Sequence, residues 1–516
     1  MAQWNKNQQD YLNQERTLHE VYLRADQYGS IINEGASYRS AFGEPLAIPI
    51  TPVIQLDGLY GIDPLVFETY SFSTGIVTTS TLMQVESGTG AYGYGVIRSR
   101  RTVRYRPGQG ALARFTAKFD EGRTGYTQRA GFFTQEQAVQ VGFHTTGQFG
   151  VLRENGGKAH VHKFTVGTPA GGAEDLTFTL NGSDTVISID ETTTSGSVTA
   201  IGNSSFPGWT VDYSGNDIYF LSNSVGPNAG SFSVSSTGAL VAASTTSQSG
   251  INHTSNWTYQ NDWNIDTLTG VGGTSNPSGV TINPQSLNVY QINFRWLGAG
   301  EIRYAIENPD NGDMVYFHHE HYSNKNDDVH LDNPSLKIGY VAASLQPTTG
   351  AGVTVCGASM MGAIEGIINT TSYPIAASHS RGSMSTGSIY HLLTIKGNLI
   401  ANNKINTREI LVKKISAGVR VTTGSSPAFI YLYIDAVTAA DLEFTNIGRS
   451  SSYSDTETTI ISGEPIAVFS VTSGAPDTID LEDLRIALPP QSKLSIAVSS
   501  SANLQAGDAS IIFVED

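Results

Sequence analysis

The chain contains 516 residues with a formal net charge of −16, and only 15% of its residues are charged. This length allows about three or four domains of ordinary size, and the acidic balance counts against a protein that wraps or coats nucleic acid. The single cysteine, Cys356, excludes an intrachain disulfide framework. With 54 glycines and a hydrophobic fraction of 39%, the composition predicts folded all-β modules joined by many turns, and not a disordered chain.

Residues 1–45 are interpreted as an N-terminal helix and an anchoring arm. A helix is predicted from residue 4 to about residue 28, and a narrow apolar stripe runs along it: Trp4, Tyr11 and Leu18 at intervals of seven, with Tyr22 beside them. Such a stripe suits assembly, by docking on a partner or on another copy of the chain; the alternative is packing on the chain's own sandwich. No signal peptide is recognisable, and no run approaches the ~20 apolar residues that span a bilayer. We therefore expect a protein made in a cytoplasm and not inserted in a membrane.

Short apolar runs separated by glycine-containing turns follow, and they are typical of a β-sandwich. This pattern stops near residue 164 and resumes near Trp263. We interpret residues 46–163 and 262–385 as one split sandwich. Residues 164–261, rich in Ser, Thr and Gly, are interpreted as an inserted small β-rich module, because surface loops tolerate long insertions. Two hairpins are predicted in the insert, at Asn181-Gly182 and at residues 214–217, and a third in the outer pattern at residues 298–300.

Residues 386–516 are predicted to form a C-terminal β-sandwich, after a Gly/Ser/Met linker at residues 381–387. In residues 428–434 the alternate side chains on both faces are apolar. This pattern predicts a central strand that is covered on both faces. The fold class is therefore mainly β, with several sandwiches, an N-terminal helix and an inserted module.

Five arginines occur within nine residues, and Arg98, Arg100, Arg104 and Arg106 would point to one side of a strand through this segment, whereas Arg101 would not. Like charges on one face repel, so these side chains need acidic partners. The partners are either carboxylates of this chain or a neighbouring subunit, or an anionic glycan. We predict that this row sets the register of an assembly through charge pairing.

Two histidine pairs are candidate metal ligands. His319 and His321 would share one face of a strand in the segment Phe317-His318-His319-Glu320-His321, and His160-Val161-His162 repeats the spacing. Imidazoles contributed by three chains around a threefold axis could bind a transition metal. The alternative is surface or interface histidines without a metal, and we expect no cofactor.

Exposed aromatic rings that could stack on sugars are predicted in Gly- or Ser-rich segments, at Tyr92, Tyr94 and Trp257. Residues 88–93 match the pattern GxGxxG, but a strand and not a helix is predicted after them, so the context for nucleotide binding is missing. The sequence has no G-x-S-x-G elbow and no supported pair of catalytic carboxylates. We therefore expect no enzymatic activity.

Three groups of motifs carry a resemblance: QWNKNQQDYLNQER at residues 3–16; SGTG at 87–90 with YRPGQG at 105–110; and VYQI at 289–292 with WLGAG at 296–300 and IENP at 306–309. They resemble virion structural proteins of marine tailed phages, especially cyanophages, with relatives among giant viruses. FPGWT at 206–210 resembles a small module that recurs inside such proteins. The resemblance implies a particle component with a lectin-like (jelly-roll or concanavalin-like) sandwich, and it carries over no catalytic residue.

The sequence thus predicts a structural component of a tailed-phage virion: a fibre, a neck- or baseplate-associated protein, or a head-decorating protein. It would act by assembly with other virion proteins and by surface presentation, as a homo-oligomer for which a trimer is one option. The alternative is a receptor-binding, lectin-like adhesin that recognises a host surface glycan. A depolymerase, which would release reducing sugar ends, is a third hypothesis without a supported catalytic set.

Overall fold

The computed structural model describes residues 49–347, 349–367, 373–421, 427–474, 477–484 and 486–516. The predicted N-terminal helix, with Trp4, Tyr11, Leu18 and Tyr22, lies outside these residues. The described part is mainly β, with antiparallel sheets and one α-helix. No helix in these ranges has the length and apolar character required to cross a membrane.

The first strands come from the part of the chain before the insert. They are β1 (Ile50–Asp57), β2 (Phe67–Phe72), β3 (Ile76–Thr79), β4 (Met83–Glu86), β5 (Tyr94–Ser99), β6 (Gly110–Phe119), β7 (Tyr126–Phe133), β8 (Ala138–Phe143) and β9 (Phe149–Asn155). Buried and partly exposed side chains alternate along β4 and β5, as expected for strands with one face on a core.

The insert follows, with β10 (Ala159–Thr168), β11 (Gly172–Leu180), β12 (Ser183–Glu191), α1 (Thr194–Gly202), β13 (Trp209–Ser214), β14 (Asp217–Val225), β15 (Phe232–Ser236) and β16 (Val241–Gln248). The two predicted hairpins are confirmed, as β11–β12 and β13–β14. Asn181 and Gly182 both have positive φ, which suits the tight turn between β11 and β12. The sequence analysis did not predict α1, which begins after Thr193, an N-cap whose side chain accepts a hydrogen bond from the Gly196 amide.

After the insert the chain returns to the first unit. The strands are β17 (Thr254–Tyr259), β18 (Asn288–Arg295), β19 (Ile302–Glu307), β20 (Met314–Glu320), β21 (Lys337–Ser344), β22 (Thr354–Gly357) and β23 (Ser359–Glu365), with a 3₁₀ turn at Gln260–Asp262. We call the unit formed by β1–β9 and β17–β23 the outer sandwich. One of its sheets has the order β20-β19-β18-β6-β22-β4-β3, with β23 on β6 and β1 on β23. The other sheet has the order β17-β9-β8-β7-β21-β5-β2.

The two sheets of the outer sandwich share one core, which is rich in aromatic rings. Phe119 contacts Tyr290 of its own sheet and Phe143 and Phe149 of the facing sheet, with ring centroids 5.7–6.2 Å apart. Trp263, near the predicted point of return, packs on Phe149 in the same core. This return of the chain to its first core is the basis for regarding the central segment as an insert.

The strand pairing places both borders of the insert earlier in the chain than the predicted residues 164 and 261. Strand β10 begins at Ala159 and pairs with β14 and β16 of the insert, whereas β17 pairs with β9 of the outer sandwich. The insert has two sheets, β13-β14-β10-β16 and β12-β11-β15. A cluster of phenylalanines fills its core: Phe164, Phe178, Phe206 and Phe220.

The C-terminal sandwich contains the remaining strands. They are β24 (Ile375–Arg381), β25 (Tyr390–Gly397), β26 (Ile400–Ala401), β27 (Lys404–Ile405), β28 (Ile410–Val421), β29 (Ala428–Ile434), β30 (Val437–Thr438), β31 (Thr445–Asn446), β32 (Ser451–Ser454), β33 (Ile460–Ser462), β34 (Pro465–Val471), β35 (Asp477–Asp480), β36 (Ala487–Leu488), β37 (Lys493–Ser500) and β38 (Leu504–Glu515), with a 3₁₀ turn at Glu482–Leu484. Strand β24 precedes the predicted border at residue 386, but it pairs with β38.

The C-terminal sheets have the orders β24-β38-β28-β35, with β36 on β28, and β31-β32-β25-β37-β29-β34. Strand β29 is internal, as predicted. The expectation that both of its faces are covered is wrong at its start, since Phe429 is 43% exposed. The inward side chains of β29, Ala428, Ile430 and Leu432, belong to the core between the sheets, and the other face looks outward there.

The insert packs against the C-terminal sandwich through a shared apolar core. Leu442 and Phe444 of the C-terminal sandwich are buried in the phenylalanine cluster of the insert. Ile400 packs with Val161 and Leu221 in a second, smaller cluster between the two units. The insert is therefore held on two sides, by its chain connections to the outer sandwich and by apolar burial against the C-terminal sandwich.

Candidate functional site

The predicted arginine strand is shorter than expected. Strand β5 ends at Ser99, and beyond it only Val103 forms a bridge, to Leu336. The amide of Thr102 donates a hydrogen bond of 2.9 Å to the Glu409 carboxylate and not to a neighbouring strand. The prediction of a single straight row of arginines from Arg98 to Arg106 is therefore wrong. The strand ends at Ser99, and the backbone amide of Thr102 is bound to the buried Glu409 carboxylate.

The arginines pair with carboxylates of the same chain. Arg98 Nε lies 2.9 Å from Glu68 Oε2 within the outer sandwich. The other four reach residues of the C-terminal sandwich: Arg100 to Asp435 at 2.7 Å, Arg101 to Glu409 at 3.1 Å, Arg104 to Asp516 at 3.4 Å, and Arg106 to the same Asp516 carboxylate. We call these four arginines and their partners the arginine clamp. The structure therefore pairs these arginines with carboxylates of this chain, which is one of the alternatives that the sequence left open.

Arg98 is part of a separate, partly buried group with Glu68 and Lys337. Burial alone would raise the pKa of Glu68, but the charges and hydrogen bonds of Lys337 and Arg98 hold it below its usual value. Burial also lowers the pKa of Lys337 to about 8. The Arg98 guanidinium lies over the Tyr70 ring, 5.1 Å from its centroid, which adds a cation–π contact. This group fixes β2 and β21 on either side of β5.

His319 and His321 lie together at the open end of the hairpin formed by β19 and β20, where β19 begins and β20 ends. The Nδ1 atom of His319 is 3.1 Å from Glu301 Oε1, and the Nδ1 atom of His321 is 3.5 Å from the same oxygen. One potential ligand atom from each of the three residues lies within 4.8 Å of the others. The sequence placed the two histidines on one face but did not connect them with Glu301. In the hairpin, Arg303 pairs with His319, and this register brings Glu301, two residues before Arg303, close to both histidines. A correct prediction of the register could therefore have identified Glu301 as their partner.

The carboxylate of Glu301 is held in its ionised form. Burial alone would raise its pKa, but hydrogen bonds and charges of His319 and Arg303 lower it to about 2. The neighbouring His318 faces the other way and is buried beside Tyr304. Burial and the two neighbouring histidines lower the pKa of His318 to about 4. The chemistry of this cluster is thus an anionic oxygen with two imidazoles, a set suited to a proton or to a divalent metal ion.

His160 and His162 lie elsewhere, in strand β10 of the insert. Both rings stack on Phe232, at centroid distances of 4.6 and 4.3 Å. Burial lowers the pKa of His160, and burial together with the His160 charge lowers the pKa of His162 to about 4. In the described ranges they belong to no group of three potential metal ligands. Their surroundings are those of neutral aromatic side chains in a small core.

The three candidate glycan-binding residues separate into two places. Tyr94 stacks on Phe72 at the edge of the outer sandwich, with ring centroids 5.8 Å apart, and Tyr92 is 54% exposed two residues earlier. Trp257 lies on β17, at the opposite edge of that sheet, and its ring packs on His144 at 5.2 Å. Tyr94 and Phe72 therefore form one surface, and Trp257 is not part of it.

The glycines of residues 88–93 are explained by close backbone packing. Gly88 has a φ of +65°, and a Cβ atom there would lie 2.0 Å from the carbonyl oxygen of Thr74. A Cβ at Gly93 would lie 2.1 Å from the carbonyl oxygen of Ser87. The loop is packed on the turn between β2 and β3, and a strand follows it, in agreement with the missing nucleotide-binding context.

Sequence reasoning also missed an ion pair between Asp212 of the insert and Lys396 of the C-terminal sandwich. Neither residue lies in a motif, and 184 positions separate them, so no local pattern could have paired them. A scan against protein-family models found no match for this chain, and a search of curated proteins found no significant relative.

Proposed function

We propose that this chain is a structural component of a tailed-phage virion, made in the host cytoplasm, that acts by assembly with other virion proteins and by surface presentation. In this proposal it is a fibre, a neck- or baseplate-associated protein or a head-decorating protein, and its sandwiches are of the lectin-like, jelly-roll or concanavalin-like type. The motifs at residues 3–16, 87–110 and 289–309 support the assignment, through their resemblance to such proteins.

The observation that carries the proposal is the way in which the units are joined. The arginine clamp connects the outer and C-terminal sandwiches through four ion pairs. The insert contributes Asp212 to a buried pair with Lys396 and shares its core with Leu442 and Phe444. Buried charge pairs tolerate little displacement, because an unpaired buried charge is costly. The outer sandwich, the insert and the C-terminal sandwich, fixed to one another in this way, suit the presentation of surfaces at set positions.

Exposed apolar side chains on two edge strands supply a surface for assembly. In the described sheets, β2 and β3 each stand at the end of a sheet order. Phe72 of β2 is 56% exposed, and Tyr70 and Ile76 beside it are also exposed. Soluble proteins usually protect such edges, and exposed apolar patches commonly mark contact sites. This edge supports homo-oligomerisation, for which a trimer is one arrangement, or a contact with another virion protein.

Localisation on purified particles tests the proposal. Mass spectrometry of purified virions should detect the chain, and a gold-labelled antibody should mark fibres, tail, neck or head in electron micrographs. Analytical ultracentrifugation of the purified chain should show an oligomer, and Phe72→Ser combined with Ile76→Ser should reduce it if the edge is the contact. Absence of the chain from purified particles would refute the proposal.

A glycan-binding, lectin-like adhesin is the second candidate, and the aromatic surface of Phe72 and Tyr94, with the exposed Tyr92 two residues from Tyr94, favours it. Aromatic side chains with one exposed face are common in binding surfaces. A glycan array that includes host envelope polysaccharide should then give binding that Tyr94→Ala abolishes. Tyr373→Ala is a matched control, because Tyr373 is an exposed tyrosine outside this surface. Absence of glycan binding by the purified wild-type oligomer would reject this candidate.

A further inference from the structure

The end of the β19–β20 hairpin places two imidazoles around one carboxylate oxygen. Both His319 Nδ1 and His321 Nδ1 face Oε1 of Glu301, at 3.1 and 3.5 Å. The two imidazole rings are 5.8 Å apart and nearly perpendicular. All three side chains come from one hairpin of one chain, so the arrangement requires no second subunit.

Ligand atoms about 2.0–2.2 Å from a tetrahedral Zn²⁺ lie about 3.3–3.6 Å from one another. The two distances from imidazole Nδ1 to Glu301 Oε1, 3.1 and 3.5 Å, are close to this range, and all three ligand atoms lie within 4.8 Å of one another. Two histidines with one carboxylate form a common catalytic-type set for Zn²⁺, in which the remaining position is open. We propose that Glu301, His319 and His321 form a binding site for Zn²⁺ or a similar divalent transition metal, with the remaining coordination position open to solvent or to a ligand from another molecule.

Arg303 fixes the orientation of the carboxylate. Its Nε and Nη2 atoms lie 2.8 and 2.7 Å from Glu301 Oε2, so Oε1 is the oxygen that faces the histidines. Outer-shell partners of this kind orient ligands in metal sites. The guanidinium charge also opposes a cation, so we expect weaker binding than in a site of the same ligands without an arginine.

The backbone of the hairpin end is held from outside. Asn264 donates a hydrogen bond of 2.8 Å to the carbonyl oxygen of His319 and accepts one of 2.9 Å from its amide. The Tyr316 ring packs edge-on against the His319 ring. Ligands on a rigid element hold their geometry before the ion arrives. His319 is mostly buried, whereas the His321 side chain is 52% exposed, which gives an ion a path from solvent.

The same geometry has a simpler explanation, in which the two histidines donate hydrogen bonds to Glu301 and no metal binds. The two explanations differ in whether the chain takes up an ion, and a direct metal titration therefore separates them.

The experiment uses the full chain after dialysis against a chelator. Isothermal titration with Zn²⁺ at neutral pH should show one ion per chain, and Co²⁺ should give the visible absorption of a low-coordinate nitrogen–oxygen site. Even outer-shell changes cost about 10–100-fold in metal affinity, so His321→Ala and Glu301→Gln should each weaken Zn²⁺ binding by about 100-fold or more. His321 is half exposed, so His321→Ala should keep the fold, which far-UV circular dichroism will verify.

His379→Ala is the matched control. His379 Nδ1 lies 3.6 Å from a carboxylate oxygen of Asp455, and within the described part of the chain this pair belongs to no group of three potential metal ligands. This variant should bind Zn²⁺ with wild-type affinity and stoichiometry. Absence of saturable binding by the wild-type chain, or equal affinities of wild type and a folded His321→Ala variant, would overturn the metal site.

Discussion

Lys396 of the C-terminal sandwich donates a hydrogen bond of 2.8 Å to Asp212 of the insert, and each of the two side chains is only 6% exposed. Each of the two groups makes a further hydrogen bond to the backbone. The ammonium also donates to the carbonyl oxygen of Tyr213, and the second oxygen of Asp212 accepts from the Leu399 amide. The rings of Tyr213 and Phe444 lie 4.7 and 4.4 Å from the ammonium nitrogen. The position of the insert therefore depends on a buried pair whose two groups also hydrogen-bond to the backbone, and removal of one partner leaves the other charge unpaired.

Lys396→Ala should destabilise the protein strongly. Loss of one partner of a buried ion pair typically costs about 3–5 kcal/mol, and here two cation–π contacts are lost as well. The measurement is the midpoint of urea unfolding, followed by tryptophan fluorescence, because Trp209 lies in the insert. Lys396→Met combined with Asp212→Asn should recover part of the loss, since it leaves no buried charge.

Lys163→Met provides the control for this prediction. Lys163 pairs with Asp217 at 3.4 Å within the insert, and both side chains are more than one quarter exposed. Exposed pairs contribute about 0–1 kcal/mol, so the midpoint should change little. If Lys163→Met and Lys396→Ala shift the midpoint equally, the buried pair has no special role.

Glu409 is the central acceptor of the arginine clamp, and Glu409→Ala should weaken the contact between the outer and C-terminal sandwiches. The carboxylate accepts from the Thr102 amide and from two nitrogens of Arg101. A buried hydrogen bond to a charged group contributes about 1.5–3 kcal/mol, whereas Arg101 is 35% exposed and its ion pair contributes about 0–1 kcal/mol. We therefore expect a loss of about 2–3 kcal/mol and faster limited proteolysis. Glu409→Gln should lose less, because its amide oxygen can still accept from Thr102.

Glu482→Ala is the comparison for the clamp. Glu482 is exposed and lies 3.5 Å from Lys413 within the C-terminal sandwich. Its removal should leave both the unfolding midpoint and the proteolysis rate close to wild type. A Glu409→Ala variant with the same proteolysis rate as Glu482→Ala would show that the clamp does not hold the units together.

Four buried histidines should make the protein less stable in mild acid. Burial is the largest cause that lowers the pKa values of His162, His318, His330 and His391 to about 4 in the folded chain. Below the ordinary value of about 6.5 the unfolded chain binds protons that the folded chain does not. Stability should therefore fall as the pH decreases from about 6.5 toward 4, by about 2 kcal/mol per histidine at pH 5. Urea unfolding between pH 7 and pH 5 measures this dependence.

His391→Asn tests how much one of these histidines contributes to the pH dependence of stability. His391 Nδ1 lies 2.8 Å from the Thr456 carbonyl oxygen and therefore donates to it, while Nε2 accepts from the Thr394 hydroxyl at 2.7 Å. A neutral ring satisfies both bonds, and protonation would turn the acceptor nitrogen into a donor. The variant should show a smaller loss of stability between pH 7 and pH 5, corresponding to one fewer proton. An unchanged pH dependence would contradict the prediction.

The mainly β architecture and three hairpins could be predicted from the sequence, because alternation and turn residues are local. The hairpin of β18 and β19, around residues 298–300, pairs Tyr290 with Ile306, in agreement with the prediction. The borders of the insert were less predictable. The residues of β10 and β17 alternate equally well in either unit, and only their partners, β14 and β9, assign them.

In the candidate sites, too, contacts between residues close in sequence could be predicted, and contacts between distant residues could not. The period of two placed His319 and His321 together, since His319 lies near the end of β20 and His321 directly follows that strand. The partners of the arginines are more than 300 positions away for Arg100, Arg101 and Arg106, and no local pattern connects them. A run of arginines indicates that acids must be near, but it does not indicate which acids.

Gly88 should be intolerant of a side chain, and Gly108 should tolerate one. Both have positive φ, +65° and +85°, so alanine costs about 1–2 kcal/mol at either position. At Gly88 the new Cβ would also lie 2.0 Å from the Thr74 carbonyl oxygen, whereas at Gly108 no atom of the described residues lies within 4 Å. Overpacking adds about 1–3 kcal/mol, and here the obstacle is backbone, which cannot rotate away. Gly88→Ala should therefore lower the urea midpoint clearly more than Gly108→Ala, and equal effects would mean that the loop is not packed on the β2–β3 turn.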